Sequence, residues 1–366
     1  MKICQISTVH PLNDNRVFHK ECKSLARSGH DVTLIIKHDR NETIDGINVI
    51  ALRSRKNRLS RMLLGTCEAL RLALRNKADV YHFHDPELIP ACIFMKLFGK
   101  KVIYDVHENT AHQMLNKNWL GGMFKRRMAS VLVGFAEKIS KVFFDVIIVA
   151  RPDIAEHWNC RKVRVVLNAA ALETIDNAAI AEMAKSKAAV IYAGGLTDIR
   201  GIKQLVEAME IVGDRAELWL IGGWQEKSFE TECGHLAGWR HVRYLGYMSV
   251  QDVFSCMKKC DVGVVTFLPA PNHLTTLPNK PFEYMACGLP VIMSDFDYWR
   301  EIFSDCALFV DPGSAEQIAE NINRLLDDPE LAGRLSAGGR KLVEEKYSWE
   351  AESRKLLAIY DSLQRP

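Results

Sequence analysis

A chain of 366 residues is longer than one ordinary hydrophobic core accommodates, which points to two domains. Hydrophobic residues make up 48% and charged residues 25%, the balance of a soluble globular protein, and no apolar run reaches the roughly 20 residues that span a bilayer. The net charge of +3 conceals +12 in residues 1–170 and −9 in residues 171–366. Such an asymmetry concerns partners rather than fold: the basic half suits nucleic acid, an anionic membrane surface or a pyrophosphate-bearing acceptor. The ten cysteines are scattered and show no Cys-x-x-Cys pair. Met1-Lys-Ile-Cys-Gln-Ile reads as a strand rather than a secretory leader, so reduced cytoplasmic thiols are expected.

Lys2 to Thr8 reads as a buried parallel strand, His10 to Arg16 as a loop, Phe18 to Ser28 as a helix stopped by Gly29, and His30 to Ile36 as a second strand. A β-loop-α-β opening implies a parallel sheet with a right-handed crossover. Ligands in such sheets sit beyond the carboxyl ends of the strands, so His10, Asp14 and Arg16 face a site. The loop has no Gly-x-Gly-x-x-Gly, against a dinucleotide-binding fingerprint. Gly46 to Leu52 is a further strand, and the basic run Arg53 to Arg61 leads into a helix, Met62 to Arg75. Asp79 to Glu87 and Lys101 to Glu108 are strands that end in polar residues, separated by a helix from Leu88 to Phe98. They place His82, His84, Asp85, His107 and Glu108 near strand ends. No His-x-x-x-His spacing accompanies them, which favours positioning roles over a metal. His107 fits a hydrogen-bonded core histidine as well as a functional one. Trp119 to Lys141 mixes Phe124, Met128 and Phe135 with Lys125, Arg126 and Arg127. It suits either a surface helix on the sheet or a helix lying on an anionic membrane.

Asp145 to Ala150 and Lys162 to Asn168 read as strands on either side of a helix starting at Arg151, and Leu172 to Lys187 as a helical linker. Ala188 to Gly201 starts a second β-loop-α series, in which Gly194 and Gly195 let backbone approach a phosphate and Arg200 can fork onto it. Glu217 to Gly223, His241 to Ser249 and Cys260 to Phe267 supply more strands, with a helix from Val250 to Lys259. The stretch Pro278 to Asp295 follows. A helix from Pro281 to Cys287 opens on a proline and closes at Gly288, and Leu289 to Met293 is a buried strand. The helix start offers free N–H groups and partial positive charge, with Lys280 at its mouth and Glu283 one turn in to accept from sugar hydroxyls. An ordinary capped helix is the plain alternative. Ala307 to Gly313 is the last strand and turn, and helices 315–326, 329–345 and one running to Leu363 complete the chain.

Pro278 to Asp295 resembles the donor-site signature of glycosyltransferase family 4, where a glutamate, seven residues and a second glutamate precede Ala-Met-Ala-x-Gly-x-Pro-Val. Glu283 and Met285-Ala-Cys-Gly-Leu-Pro-Val291 match the second half, and Thr275 stands where the first glutamate would. The Pro-Asn-Lys-x-Phe-Glu-Tyr form is similar to a sub-group of polysaccharide and cell-surface glycan transferases. The resemblance implies an α/β protein of GT-B fold: two Rossmann-like domains with parallel sheets facing a central cleft. Residues 1–170 would bind the acceptor and residues 171–345 the nucleotide sugar, and the helix in 346–366 would return to the N-domain. Gly194, Gly195, Arg200, Thr275, Thr276, Asn279, Lys280 and Glu283 would contact the donor, with Lys280 replacing the cation missing at Gly195. Gly246, Tyr247 and Met248 would frame the base. His107-Glu108 matches a family strand end near the donor sugar, so His107, Glu108, Arg200 and Lys280 would be catalytic. His10, Asp14, Arg16 and Asp85 would face the acceptor.

The implied activity is retaining transfer from a nucleoside-diphosphate sugar, UDP-sugar favoured, to a glycan acceptor, lipid-linked, in bacterial surface polysaccharide or glycoconjugate synthesis. No cofactor, metal or nucleic acid is expected. The implied place is the cytoplasm, at the inner face of an anionic membrane. A nucleotide-sugar epimerase of the same fold and a non-catalytic nucleotide-sugar-binding partner are the alternatives.

Overall fold

The structure, a computed structural model, describes residues 1–55, 57, 60–108, 110–115 and 122–364. Two compact units divide it: Met1–Asn168 joined by the chain from Ala351 onward, and Ala169–Glu350.

The N-terminal unit is built on eight strands: β1 (Lys2–Pro11), β2 (Asp31–Lys37), β3 (Glu42–Ile44), β4 (Ile47–Leu52), β5 (Val80–Phe83), β6 (Lys101–Val106), β7 (Val146–Val149) and β8 (Val163–Val165). Their order is β3-β4-β2-β1-β5-β6-β7-β8, parallel except at the β3–β4 edge. Apolar runs such as Val32 to Ile36 are buried throughout because helices cover both sheet faces. Gly46, expected to open a strand, instead shares a tight turn with Asp45: their φ of 78° and 51° suit the primed turn that joins two-residue hairpins. The strand order reverses between β1 and β5, the switch point at which open α/β sheets place ligands.

The segment after β1 departs from a plain helix. It opens as a wider π-turn, Asn15–Cys22, and tightens to an α-helix, Lys23–Arg27. Asp14 caps it, accepting from the N–H groups of Arg16 (2.9 Å) and Val17 (2.8 Å). Right-handed crossovers put Thr66–Asn76, Ile89–Leu97 and Met123–Phe143 on one face of the sheet and Asn15–Arg27 on the other. Tyr81, Phe83, Tyr104, Phe144 and Trp158 lie in the core of the first face.

The C-terminal unit holds six parallel strands: β9 (Ala188–Ala193), β10 (Ala216–Ile221), β11 (Val242–Gly246), β12 (Val262–Val265), β13 (Val291–Ser294) and β14 (Ala307–Val310). Their order is β11-β10-β9-β12-β13-β14, with the switch point between β9 and β12. Of the expected linker helix only Leu172–Asp176 forms. Beyond it the chain is held by tertiary bonds instead: Ala181 N–H donates to Ser255 O (3.1 Å), and Lys185 Nζ reaches Asp261 Oδ2 (2.8 Å). The last helix, Trp349–Gln364, crosses back into the N-terminal unit, where Tyr360 Oη meets His82 Nδ1 (2.7 Å) and Glu352 accepts from Leu167 N–H (2.8 Å). All ten cysteines are free thiols.

Candidate functional site

In the C-terminal unit the switch point gathers two cations. Gly194 and Gly195 follow the end of β9, and the helix Asn279–Ala286 approaches it. That helix begins two residues earlier than the proline suggested, so Lys280 lies inside its first turn rather than at its mouth. A Cβ on Gly194, whose φ is 148°, would lie 2.4 Å from Lys280 Nζ; only glycine lets the ammonium lie against the backbone. A Cβ on Gly201 would lie 1.8 Å from Thr266 O, so this glycine brings the turn carrying Arg200 against the end of β12. Lys280 Nζ sits 5.6 Å from the Tyr192 ring centre and 5.8 Å from that of Phe267, and Arg200 Cζ sits 5.5 Å from Phe267. Burial, and then the neighbouring Arg200 charge, push Lys280 down to about 8. Among the described residues neither cation makes an ion pair. Two adjacent cations held by aromatic faces rather than carboxylates suit a dianionic ligand.

The other donor-side residues are less uniform. The Glu283 carboxylate is half-buried and makes no hydrogen bond or ion pair among the described residues. Asn279 is exposed at the first turn of its helix. Thr275 is exposed and returns its hydroxyl to Pro271 O (3.2 Å), while Thr276 presents its carbonyl to Trp299 Nε1 (2.8 Å). Gly246 O accepts from Gly222 N–H (2.8 Å), Tyr247 is 83% exposed, and Met248 packs on the core. Tyr192, Phe267 and Thr266 escaped the sequence reading. The only available signal was their place at strand ends. Thr266 Oγ1 and Thr197 Oγ1 are buried with no hydrogen-bond partner among the described residues.

In the N-terminal unit β1, β5 and β6 converge on a polar network. His10 lies within β1 itself, with Nδ1 2.9 Å from Asp14 Oδ2 and its ring centre 4.9 Å from that of His107. Burial alone would lower His10, but the Asp14 hydrogen bond and the Asp85 charge raise it above its ordinary value. Burial would raise Asp14; His10 and the Val17 N–H outweigh that and hold it at about 2. His84 Nε2 lies 2.5 Å from Gln5 Oε1 and must donate to it, which leaves Nδ1 as an acceptor. His107 Nε2 lies 3.2 Å from that Nδ1 and therefore carries its proton, so His107 Nδ1 keeps a lone pair. Burial pushes His107 down to about 4, so it is neutral near pH 7. Glu108 points outward.

Two expected acceptor-side residues are corrected. Arg16 is buried and forks onto Asp105 (Nε 3.1 Å, Nη2 2.9 Å from Oδ2) while Nη1 donates to Val166 O (3.0 Å). Asp85 is buried and accepts from Ser7 Oγ (2.8 Å) and Thr8 N–H (2.7 Å), pinning β1 to β5. Both turn inward because an interior carboxylate must be neutralised and hydrogen-bonded, which outweighs exposing either side chain. Glu21, also missed, lies 2.9 Å from Arg16 Nε through Oε1. Burial, and then the charge of Asp105, raise its pKa well above the ordinary value, so it keeps its proton beside Asp105. Glu21, His82, His84 and Asp105 bring ligand atoms within 4.8 Å of one another, a cluster that could hold a metal. Arg16 already supplies the positive charge there and would oppose a cation. Trp119 lies outside the described residues, and the basic run Arg53 to Arg61 is described only in part.

Two Rossmann-like units, each with its polar groups at a switch point, are the make-up of the GT-B class of folds. Residues 15–169 match the glycosyl transferase 4-like domain and residues 175–342 the glycosyl transferases group 1 model, so the chain belongs to glycosyltransferase family 4. It is 27% identical over 176 residues to an uncharacterized glycosyltransferase of Methanocaldococcus jannaschii, a match covering 47% of this chain and 44% of that one. It is 23% identical over 296 residues to a phosphatidyl-myo-inositol mannosyltransferase of Mycobacterium leprae, 78% of this chain and 74% of that one. The chain thus spans about half of the first relative's length and about three quarters of the second's. Among solved structures, Anabaena HepE in complex with UDP and glucose superposes with a TM-score of 0.73 at 14% identity, covering 99% of this chain and 100% of that one.

Proposed function

We propose that the protein is a retaining glycosyltransferase that moves a sugar from a nucleoside-diphosphate sugar to a lipid-linked glycan acceptor. The proposed setting is surface polysaccharide or glycoconjugate synthesis, in the cytoplasm at the inner face of an anionic membrane. The observation that carries this is the pair Arg200 and Lys280, held against Gly194 without a carboxylate. The C-terminal unit binds the donor. Arg200, Lys280 and the first-turn N–H groups of Asn279–Ala286 stabilise the diphosphate as it leaves, which is where transition-state charge develops. No metal is needed for that neutralisation. Glu283 accepts from the hydroxyls of the donor ribose. Retention follows when the leaving diphosphate oxygen helps deprotonate the acceptor hydroxyl on the same face of the sugar. His107, neutral with its Nδ1 lone pair available, accepts from a sugar hydroxyl, and His10 and Asp14 line the acceptor side. UDP as the nucleotide is supported by the HepE complex, and a lipid-linked acceptor by the name of the mycobacterial relative.

The test is a thermal-shift screen of nucleotide sugars, followed by product analysis. A ligand at 100 times its dissociation constant stabilises by about 2.7 kcal/mol, well above detection. The expected product keeps the donor's anomeric configuration. Conversion of the donor with no acceptor present would instead indicate an epimerase, and binding without transfer to any acceptor a silent partner.

A further inference from the structure

The helical layer of the N-terminal unit carries an unusual outer face. Three neighbouring segments contribute to it: the π-turn Arg61–Gly65 that enters Thr66–Asn76, the end of Ile89–Leu97, and the long helix Met123–Phe143. The middle helix packs beside both others, and all three lie on the same side of the sheet. Each bears large apolar residues turned to solvent: Leu63 and Leu64, Leu97 and Phe98, Phe124 and Phe135, exposed by 55–80%. Isolated exposed apolar residues are ordinary, but six large ones on three adjacent helices of one layer are not.

Among the described residues, the exposed charges on these helices have one sign. Arg71, Arg75, Lys125, Arg127 and Lys138 are exposed on the same helices. The acidic residues of these helices are not available to balance them: Glu68 pairs with Arg55 (2.8 Å), and Glu137 is buried. Against a second copy of the chain, cations would face cations. Against an anionic lipid surface they gain, while apolar side chains enter the interface. No helix among the described residues is long and apolar enough to cross a membrane, so the geometry is one of lying on it.

We infer that this three-helix face, rather than the helix Met123–Phe143 alone, is the surface on which the protein seats itself on an anionic bilayer. The inference rests on the proposed membrane-bound acceptor and adds the residues that meet the lipid. Leu63/Leu64 and Leu97/Phe98 enter the interface as anchors, and the basic side chains of the same helices meet the lipid headgroups. The sequence pattern around Lys125 pointed to one helix only; the crossover geometry brings in the other two.

The test is co-sedimentation with large vesicles of phosphatidylcholine alone and with phosphatidylglycerol added, at low and high salt. Wild type should bind only the anionic vesicles and be released several-fold by salt, because exposed charges are screened beyond about 8 Å at physiological ionic strength. Leu97→Ser/Phe98→Ser and Leu63→Ser/Leu64→Ser should each lower the bound fraction at least threefold, with circular dichroism and nucleotide-sugar binding unchanged. If both bind like wild type while Lys125→Gln/Arg127→Gln/Lys138→Gln does not, the three-helix face is wrong and the membrane proposal stands. If wild type stays in the supernatant with every lipid, the membrane proposal itself fails. A dimer in light scattering that the same serine variants abolish would make the face a self-interface and overturn the inference.

Discussion

Raising the pH from about 7 to about 9 carries Lys280 through its pKa of about 8 and removes a charge from the donor site. Against an ordinary value of 10.5, this means the buried, Arg200-flanked ammonium is disfavoured by on the order of 3 kcal/mol. A diphosphate supplies the missing counter-charge and returns the pKa toward ordinary, so donor binding and protonation are linked. The sign follows directly. The charged form binds the anion, so affinity is full below pH 8 and falls above it, about tenfold by pH 9. Near pH 8 about half the free protein is neutral at Lys280, so donor binding takes up about half a proton. The assay is calorimetry with a nucleotide sugar, whose diphosphate diester has no titration in this range, in buffers of differing ionisation enthalpy. Lys280→Gln should bind more weakly and without pH dependence. The free protein behaves oppositely, gaining stability as pH rises past about 8, because an uncharged lysine is easier to bury. Wild-type binding with no buffer-dependent enthalpy at pH 8 would refute the placement of the diphosphate at Lys280.

Glu283→Ala should weaken nucleotide binding ten- to a hundredfold, the worth of a hydrogen bond to a charged group, with little change in the melting of the free protein; unchanged affinity for the nucleoside diphosphate in calorimetry rejects the ribose role. Arg16→Met strands the buried Asp105 charge and should cost about 3–5 kcal/mol in urea unfolding; a loss under about 1 kcal/mol would show the network repacks without it. Burial raises Glu137 to about 7 from its ordinary 4.5, so its contribution to stability declines as pH rises between those values. Glu137→Gln should therefore be more stable than wild type at pH 8, on the order of 3 kcal/mol, with the gap closing below pH 5; equal stability at both pH values contradicts the burial cost. Transfer should persist in excess chelator, because Arg200 and Lys280 neutralise the diphosphate; activity lost and then restored by Mg²⁺ or Mn²⁺ shows a metal requirement.

Residue order alone determined the alternation of strands and helices, the basic and acidic halves, and the helix–glycine–strand unit at Glu283 to Val291. These are local facts: an apolar run of five or six residues bounded by turn formers has few ways to be satisfied except as a buried parallel strand. The same local logic overreached at residues 177–187, where helix-forming residues are drawn into tertiary bonds with the helix Val250–Lys259 and Asp261. It also missed the Asp45–Gly46 turn, since the strand it closes is only three residues long. Side-chain direction was not legible. Arg16 sits beside His10 and Asp14 in sequence, and Asp85 follows the strand end His82 to His84, yet both turn inward to serve buried partners that arrive from β6 and β1. Glu21 falls within the stretch Phe18 to Ser28 that reads as a plain helix, and the π-turn there sets it beside Arg16 and Asp105. Lys280 and Arg200 are 80 residues apart in the chain, and their shared aromatic seat at Phe267 exists only because β9 and β12 are neighbours across the switch point. Periodicity records which face of an element meets the core. Which charges meet each other depends on sheet order, and only the tertiary structure decided that.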